Sequence, residues 1–249
     1  MFRSLIQRSV LIRLSSLLVL CLCGPGRAGA TGSGIVWIPS TDVQPYKVVR
    51  FGIDNYFTLF QKGPGGGGMA LPTDVGLTMG LLPFKSFNIE AGFDLMEPQD
   101  SPWSLNVKAG VPEHVFFAES PAVAVGAGSI GFKKNITDYN ILFGVASKTI
   151  PAVGRLTAGY YWGNEKILCD SKRIPDNHGV LLGWDRPMPE LSEHLVVAVD
   201  YQEGVHAFGA FSIGATWNFT RDIGVMIGYN FYNKGYFPST FTTQLDINL

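Results

Sequence analysis

The side chains able to do chemistry in this sequence fall into two sets. The first is four histidines, His114, His178, His194 and His206, the ring bases that could activate a hydroxyl nucleophile beside a carboxylate. Only Ser192-Glu193-His194 brings those residue types together along the chain, and adjacency in sequence is not a catalytic geometry, so no catalytic residue is assigned. Cys, His and carboxylates nowhere take zinc or calcium ligand spacing. The glycine-rich stretch Lys62 to Gly68 lacks the Gly-Lys-Ser/Thr ending and following helix of a phosphate loop. No metal or other cofactor is expected. The second set is larger: Arg50, Asp54, Glu90, Asp94, Lys108, Lys148, Arg155, Asp185 and Asp200 each sit on the polar side of a run that alternates apolar with small or polar residues. In a strand that spacing puts them all on one face.

The elements that would hold them there are strands of about ten residues separated by Gly, Pro, Asn, Asp or Ser. Val49, Phe51, Ile53, Asn55, Phe57 and Leu59 oppose Arg50, Gly52, Asp54, Tyr56 and Thr58; Ile89, Ala91, Phe93 and Leu95 oppose Asn88, Glu90, Gly92 and Asp94. The pattern persists through Leu156 to Trp162 and Ile223 to Phe231. Twelve such strands are expected, beginning near residues 47, 73, 87, 103, 121, 138, 154, 178, 194, 208, 222 and 240, with ten or fourteen as alternatives. Pro83 fits only a strand end. Residues 121 to 133 are so uniformly small that their outward face cannot be told from the pattern.

Composition agrees with strands and turns: 30 Gly, 12% aromatic and only 16% charged residues in 249, at a formal net charge of -1. That charge balance offers nothing to nucleic acid. Arg3, Arg8 and Arg13 precede the apolar stretch Leu14 to Cys23, and Ala28-Gly29-Ala30 supplies small residues, so residues 1–30 read as a cleavable signal peptide. Lipoprotein processing at Cys21 or Cys23 is the alternative, disfavoured by the bulky Leu20 and Leu22 before them. Cleavage after Ala30 would leave Cys169 as the sole cysteine. Residues 31–46, with Trp37, Pro39 and Pro45, read as a periplasmic lead-in, either extended or tucked into a barrel mouth, and 47–249 as one domain.

Alternation alone fits a soluble sheet too. Aromatics at strand ends decide for a bilayer: Phe57, Trp103, Tyr139, Trp162, Tyr201, Phe231 and Phe241 toward one edge, Phe87, Trp184, Trp217 and Phe219 toward the other. The opposite face is rich in Gly and small polar residues, where a soluble barrel would need large apolar ones. The last strand keeps Phe241, Thr243, Leu245, Ile247 and Leu249 at every second place. In this it resembles the bacterial outer-membrane barrels, departing from them in closing on Leu249 instead of an aromatic. The resemblance implies an all-β, transmembrane, antiparallel up-and-down β-barrel in the outer membrane of a Gram-negative bacterium, with outer-membrane lipid and the barrel-assembly machinery as partners. Inward charges either pair and close the lumen or line a water-filled path. The leading expectation is therefore a porin-like channel for small solutes, without enzymatic activity, gated by the glycine-rich first loop. A closed structural or adhesive barrel acting through its loops, and a membrane-embedded enzyme, are the alternatives.

Overall fold

The computed structural model describes residues 33–62, 68–70 and 72–249; residues 1–30, expected as a signal peptide, and most of the glycine-rich loop expected as a gate lie outside the described residues. Alternating residues with frequent β-branched and aromatic side chains form strands β1 Val49–Lys62, β2 Gly68–Ala70, β3 Thr73–Gly80, β4 Asn88–Glu97, β5 Trp103–Val111, β6 Ala122–Gly131, β7 Ile141–Ile150, β8 Gly154–Trp162, β9 His178–Pro187, β10 Leu195–Gln202, β11 Ala210–Asn218, β12 Ile223–Tyr232 and β13 Thr240–Asn248. Each strand from β3 onward pairs antiparallel with the next, β3 pairs with β1, and β13 returns to β1 with Phe57 opposite Phe241 and Arg50 opposite Asn248. The three residues of β2 continue the β3 edge along the far end of β1, so the closed ring is twelve strands. Closure through β1 and β13 gives each of the twelve strands a partner on both sides among the described residues, the condition for strands to lie in hydrocarbon.

Both ends of the chain's strand region, Val49 and Asn248, meet at one rim, which also carries the three-residue turn 151–153. The opposite rim carries the long loop 163–177. The first rim is accordingly periplasmic and the second extracellular. Around the outside, Val125, Leu142 and Ile227 are each at least 60% exposed although they sit within strands, and Trp103 and Trp162 stand at the extracellular strand ends with Trp217 at the periplasmic end. An apolar belt bounded by aromatics results. One aromatic departs from its expected place: Tyr139 falls in the loop before β7, and its ring lies 4.9 Å from that of Phe208, packed onto the inner core instead of facing lipid. The small residues of β6 resolve as well, with Ala122 and Ala124 buried inward and Val125 outward; a register irregularity against β5 lies between Leu105 and Val107. Pro83 lies in the turn after β3.

The core of this barrel is inside the ring, and the chain supplies it from the lead-in. Ile35, Val36 and Ile38 are buried against Ala124, Val145, Tyr161, Leu168, Leu181 and Ala198. Glycines on the inner wall make room for them: a methyl group added at Gly183 would come 2.5 Å from Ile35 Cδ1, and one at Gly214 3.2 Å from Val36 Cγ2.

Candidate functional site

The site is the lumen, and residues 33–46 divide it. At the periplasmic rim Tyr46 bridges Gly80 in parallel register, and Lys47, in a left-handed conformation (φ 64°), turns the chain from β1 back into the ring. Moving inward, the Gln44 main-chain N–H donates to Glu90 Oε2 (2.7 Å) and the Asp42 carboxylate meets Arg155 Nη1 (2.7 Å). Three successive N–H groups, of Val36, Trp37 and Ile38, donate to the single oxygen Asp200 Oδ2 at 2.8, 2.7 and 3.1 Å. Trp37 reaches the extracellular side, its indole N–H donating to the Phe208 carbonyl (2.6 Å) and its ring lying 5.1 Å from that of Tyr56 and 6.0 Å from that of Tyr232. The chain then doubles back through a bridge between Gly34 and Pro39, so that Ser33 offers its carbonyl to Lys108 Nζ (3.0 Å).

This segment packs its apolar side chains on the wall of β6 to β10 and leaves a cavity of about 720 Å3 beside it. The cavity touches residues of both rims: Asn218 and Asp246 at the periplasmic end, Ser104, Gln202 and Phe208 at the extracellular end. Ten charged residues border it among those described, three cationic and seven acidic. Arg50 Nε donates to Asp246 Oδ1 (2.7 Å), Lys108 pairs with Glu90 (3.1 Å), and Arg155 holds both Asp42 and Asp185 (2.9 Å). Those pairings consume every cation and leave Asp54, Asp74 and Asp94. Asp54 and Asp74 face each other across the β1/β3 ladder, Asp94 is one step along on β4, and a recess of about 50 Å3 opens between the three. Asp94 accepts from the Asn106 amide (2.8 Å), while Asp54 Oδ1 and Asp74 Oδ1 have no hydrogen-bond partner among the described residues.

Of the charges singled out in the sequence, Arg50, Asp54, Glu90, Asp94, Lys108, Arg155 and Asp185 border the cavity. Two do not. Asp200 lies behind the lead-in with its carboxylate engaged by it, and Lys148 turns to Glu113 (3.4 Å) and Glu119 (3.5 Å) of the periplasmic loop 112–121. Asp74 and Asp246 were legible by the same alternation, beside Gly76 and Thr78 in β3 and between Leu245 and Ile247 in β13. Asp42 was not, because its segment has no period.

The histidines are dispersed over the barrel. His178 Nδ1 lies 2.9 Å from the exposed Tyr160 hydroxyl, His194 Nδ1 donates to the Asn218 carbonyl (2.8 Å), and His114 contacts the Ala118 carbonyl. His206, fully buried in the extracellular loop 203–209, has Nε2 2.6 Å from the Tyr161 hydroxyl, and burial pushes its pKa down to about 4.

No protein family and no curated protein sequence matches the chain. Among solved structures it is similar to a KdgM porin, with a TM-score of 0.50 at 7% sequence identity over 80% of this chain and 99% of that one. An outer membrane channel from Pseudomonas putida F1 aligns with a TM-score of 0.46 at 9% identity, over 84% of this chain and 98% of the other. Outer membrane phospholipase A from Escherichia coli aligns with a TM-score of 0.44 at 12% identity, over 82% and 93%. At such identities the likeness is one of fold: the chain is a closed, antiparallel outer-membrane β-barrel.

Proposed function

We propose that this barrel is a small outer-membrane channel that passes small solutes, with preference for cations, along the β1 to β5 side of its lumen. The observation that carries the reading is the acidic cluster of the cavity: once each bordering Arg and Lys has formed its ion pair, Asp54, Asp74 and Asp94 remain together, with Arg50 at the edge of their recess. Carboxylates without cationic partners raise the local concentration of positive ions in a narrow, low-dielectric passage. On this reading the partners are outer-membrane lipid around the belt, the assembly machinery at β13, and the solutes themselves.

Planar-bilayer recording of the refolded protein tests it. A small conductance with potassium favoured over chloride is expected, and joint replacement of Asp54, Asp74 and Asp94 by Asn should lower that preference at least threefold. Unchanged selectivity would remove these aspartates from the path, and absence of current above background would overturn the channel. A closed adhesive barrel is favoured by one observation, the lead-in occupying the lumen, and it predicts that null result. We read the protein as non-enzymatic, its histidine rings being engaged by tyrosine hydroxyls and main-chain groups at scattered places; hydrolysis of a lipid substrate that is lost on replacing a histidine by Ala would overturn this.

A further inference from the structure

We propose that residues 33–44 are a displaceable plug, latched by Asp200, whose withdrawal widens the passage from the cavity along β1 to β5 to the full bore of the barrel. This rests on the channel reading above and adds its regulation.

Four observations point to a part that moves as a unit. The ring closes through β1 and β13 without any contribution from the segment, so its departure breaks no membrane-spanning ladder. Its main chain is held by wall side chains instead of by strand pairing: Asp200 takes three N–H groups, Glu90 takes that of Gln44, and Gln244 Nε2 donates to the Val36 carbonyl (2.9 Å). The segment joins the barrel at Lys47, a non-glycine residue held in the left-handed region, which places a sharp bend between plug and wall.

The fourth observation concerns the wall it covers. A surface meant to stay sealed is lined with apolar side chains, because buried polar groups without partners are costly. Here the inner wall of β8 and β10 to β13 also presents Thr157, Asp200, Ser212, Asn230, Thr242 and Gln244, all buried, and Asn230 Oδ1 has no hydrogen-bond partner among the described residues. Such a wall suits water. The apolar residues of the plug pack on a separate patch, Ala124, Val145, Tyr161, Leu181 and Ala198 of β6 to β10, and reach the polar wall at the hollow of Gly214, beneath Val36. The tip, Trp37, sits on the carbonyl of Phe208 in extracellular loop 203–209, where a change outside the cell reaches the plug directly.

The test locks and unlatches the plug. With Cys169 replaced by Ser, Val36→Cys with Gly214→Cys brings two sulfurs together, since a Cβ at 214 would lie 3.2 Å from the γ position of 36. The oxidised protein should show only the small conductance, and reductant should restore excursions to a level at least twice as large. Asp200→Ala, which removes the shared acceptor, should raise the frequency of the larger level at least fivefold. Heat-modifiable migration on gels reports that each variant is a folded barrel, and the locked pair decides the matter if Asp200→Ala does not fold. Current that is identical in oxidised, reduced and unlatched proteins overturns the plug while leaving the channel standing. Folded variants that pass no current at all overturn both.

Discussion

Asp54 and Asp200 are the same residue type on the same inner face, yet their surroundings give them opposite work. Asp200 is saturated on one oxygen by three N–H groups of the chain's own lead-in, whereas Asp54 faces Asp74 across a ladder with its Oδ1 unbonded among the described residues. His206 makes the residue scale testable in solution. Its Nδ1 accepts the Phe208 N–H (3.1 Å), so the proton of the neutral ring lies on Nε2 and donates to the Tyr161 hydroxyl, which in turn donates to the Glu203 carbonyl (2.7 Å). Burial holds the folded pKa at about 4, against an ordinary value of 6.5. The unfolded loop therefore binds a proton that the folded loop refuses, and stability present above about pH 6.5 is lost as pH falls toward 4, by roughly 3 kcal/mol at 1.36 kcal/mol per pKa unit. Amide exchange across residues 203–209 should accelerate between those pH values in the native protein and much less in His206→Asn; equal acceleration in both would discard this account.

At the scale of elements, the strands were legible because a pleated segment between lipid and water must alternate at every step, and β3, β5, β8, β9 and β13 begin at the residues where the pattern begins. The lead-in was not, since Ile35 to Gln44 follows the shape of the lumen and no repeating surface; its burial shows only in glycines scattered over distant strands, Gly183 and Gly214 among them. For the same reason Asp200 could be assigned to the inner face and not to a partner 162 to 164 residues away. The closing seam offers its own measurement. Arg50 of β1 and Asp246 of β13 are about 16–18% exposed and joined across the junction that turns a sheet into a ring. Removing either leaves a partly buried charge unpaired, so a double-mutant cycle with Arg50→Ala and Asp246→Ala in urea unfolding from lipid should give a coupling of about 1–2 kcal/mol. A value near zero would mean that water already solvates both groups.

For the whole molecule the question is which solvent the outer face was built for. Val125 in mid-β6 and Phe117 in the periplasmic loop 112–121 are both 63% exposed, so a count of surface treats them alike. A bilayer does not. Arginine at the midplane of a membrane barrel costs about 2–4 kcal/mol, and near the interface about 0–1. Val125→Arg should therefore destabilise folding into lipid vesicles by about 2–4 kcal/mol relative to Val125→Ala, while Phe117→Arg stays within about 1 kcal/mol of Phe117→Ala. Equal costs at the two positions would mean that both see water, and the belt of Val125, Leu142 and Ile227 would have to be covered by protein instead. The interior bears on the same point, for a soluble barrel of twelve strands would fill its bore from the strands themselves. This one has a wall rich in glycines and short polar side chains, and a separate stretch of chain threaded through it brings Ile35, Val36 and Ile38 to complete the apolar cluster that Val145, Tyr161 and Leu181 begin.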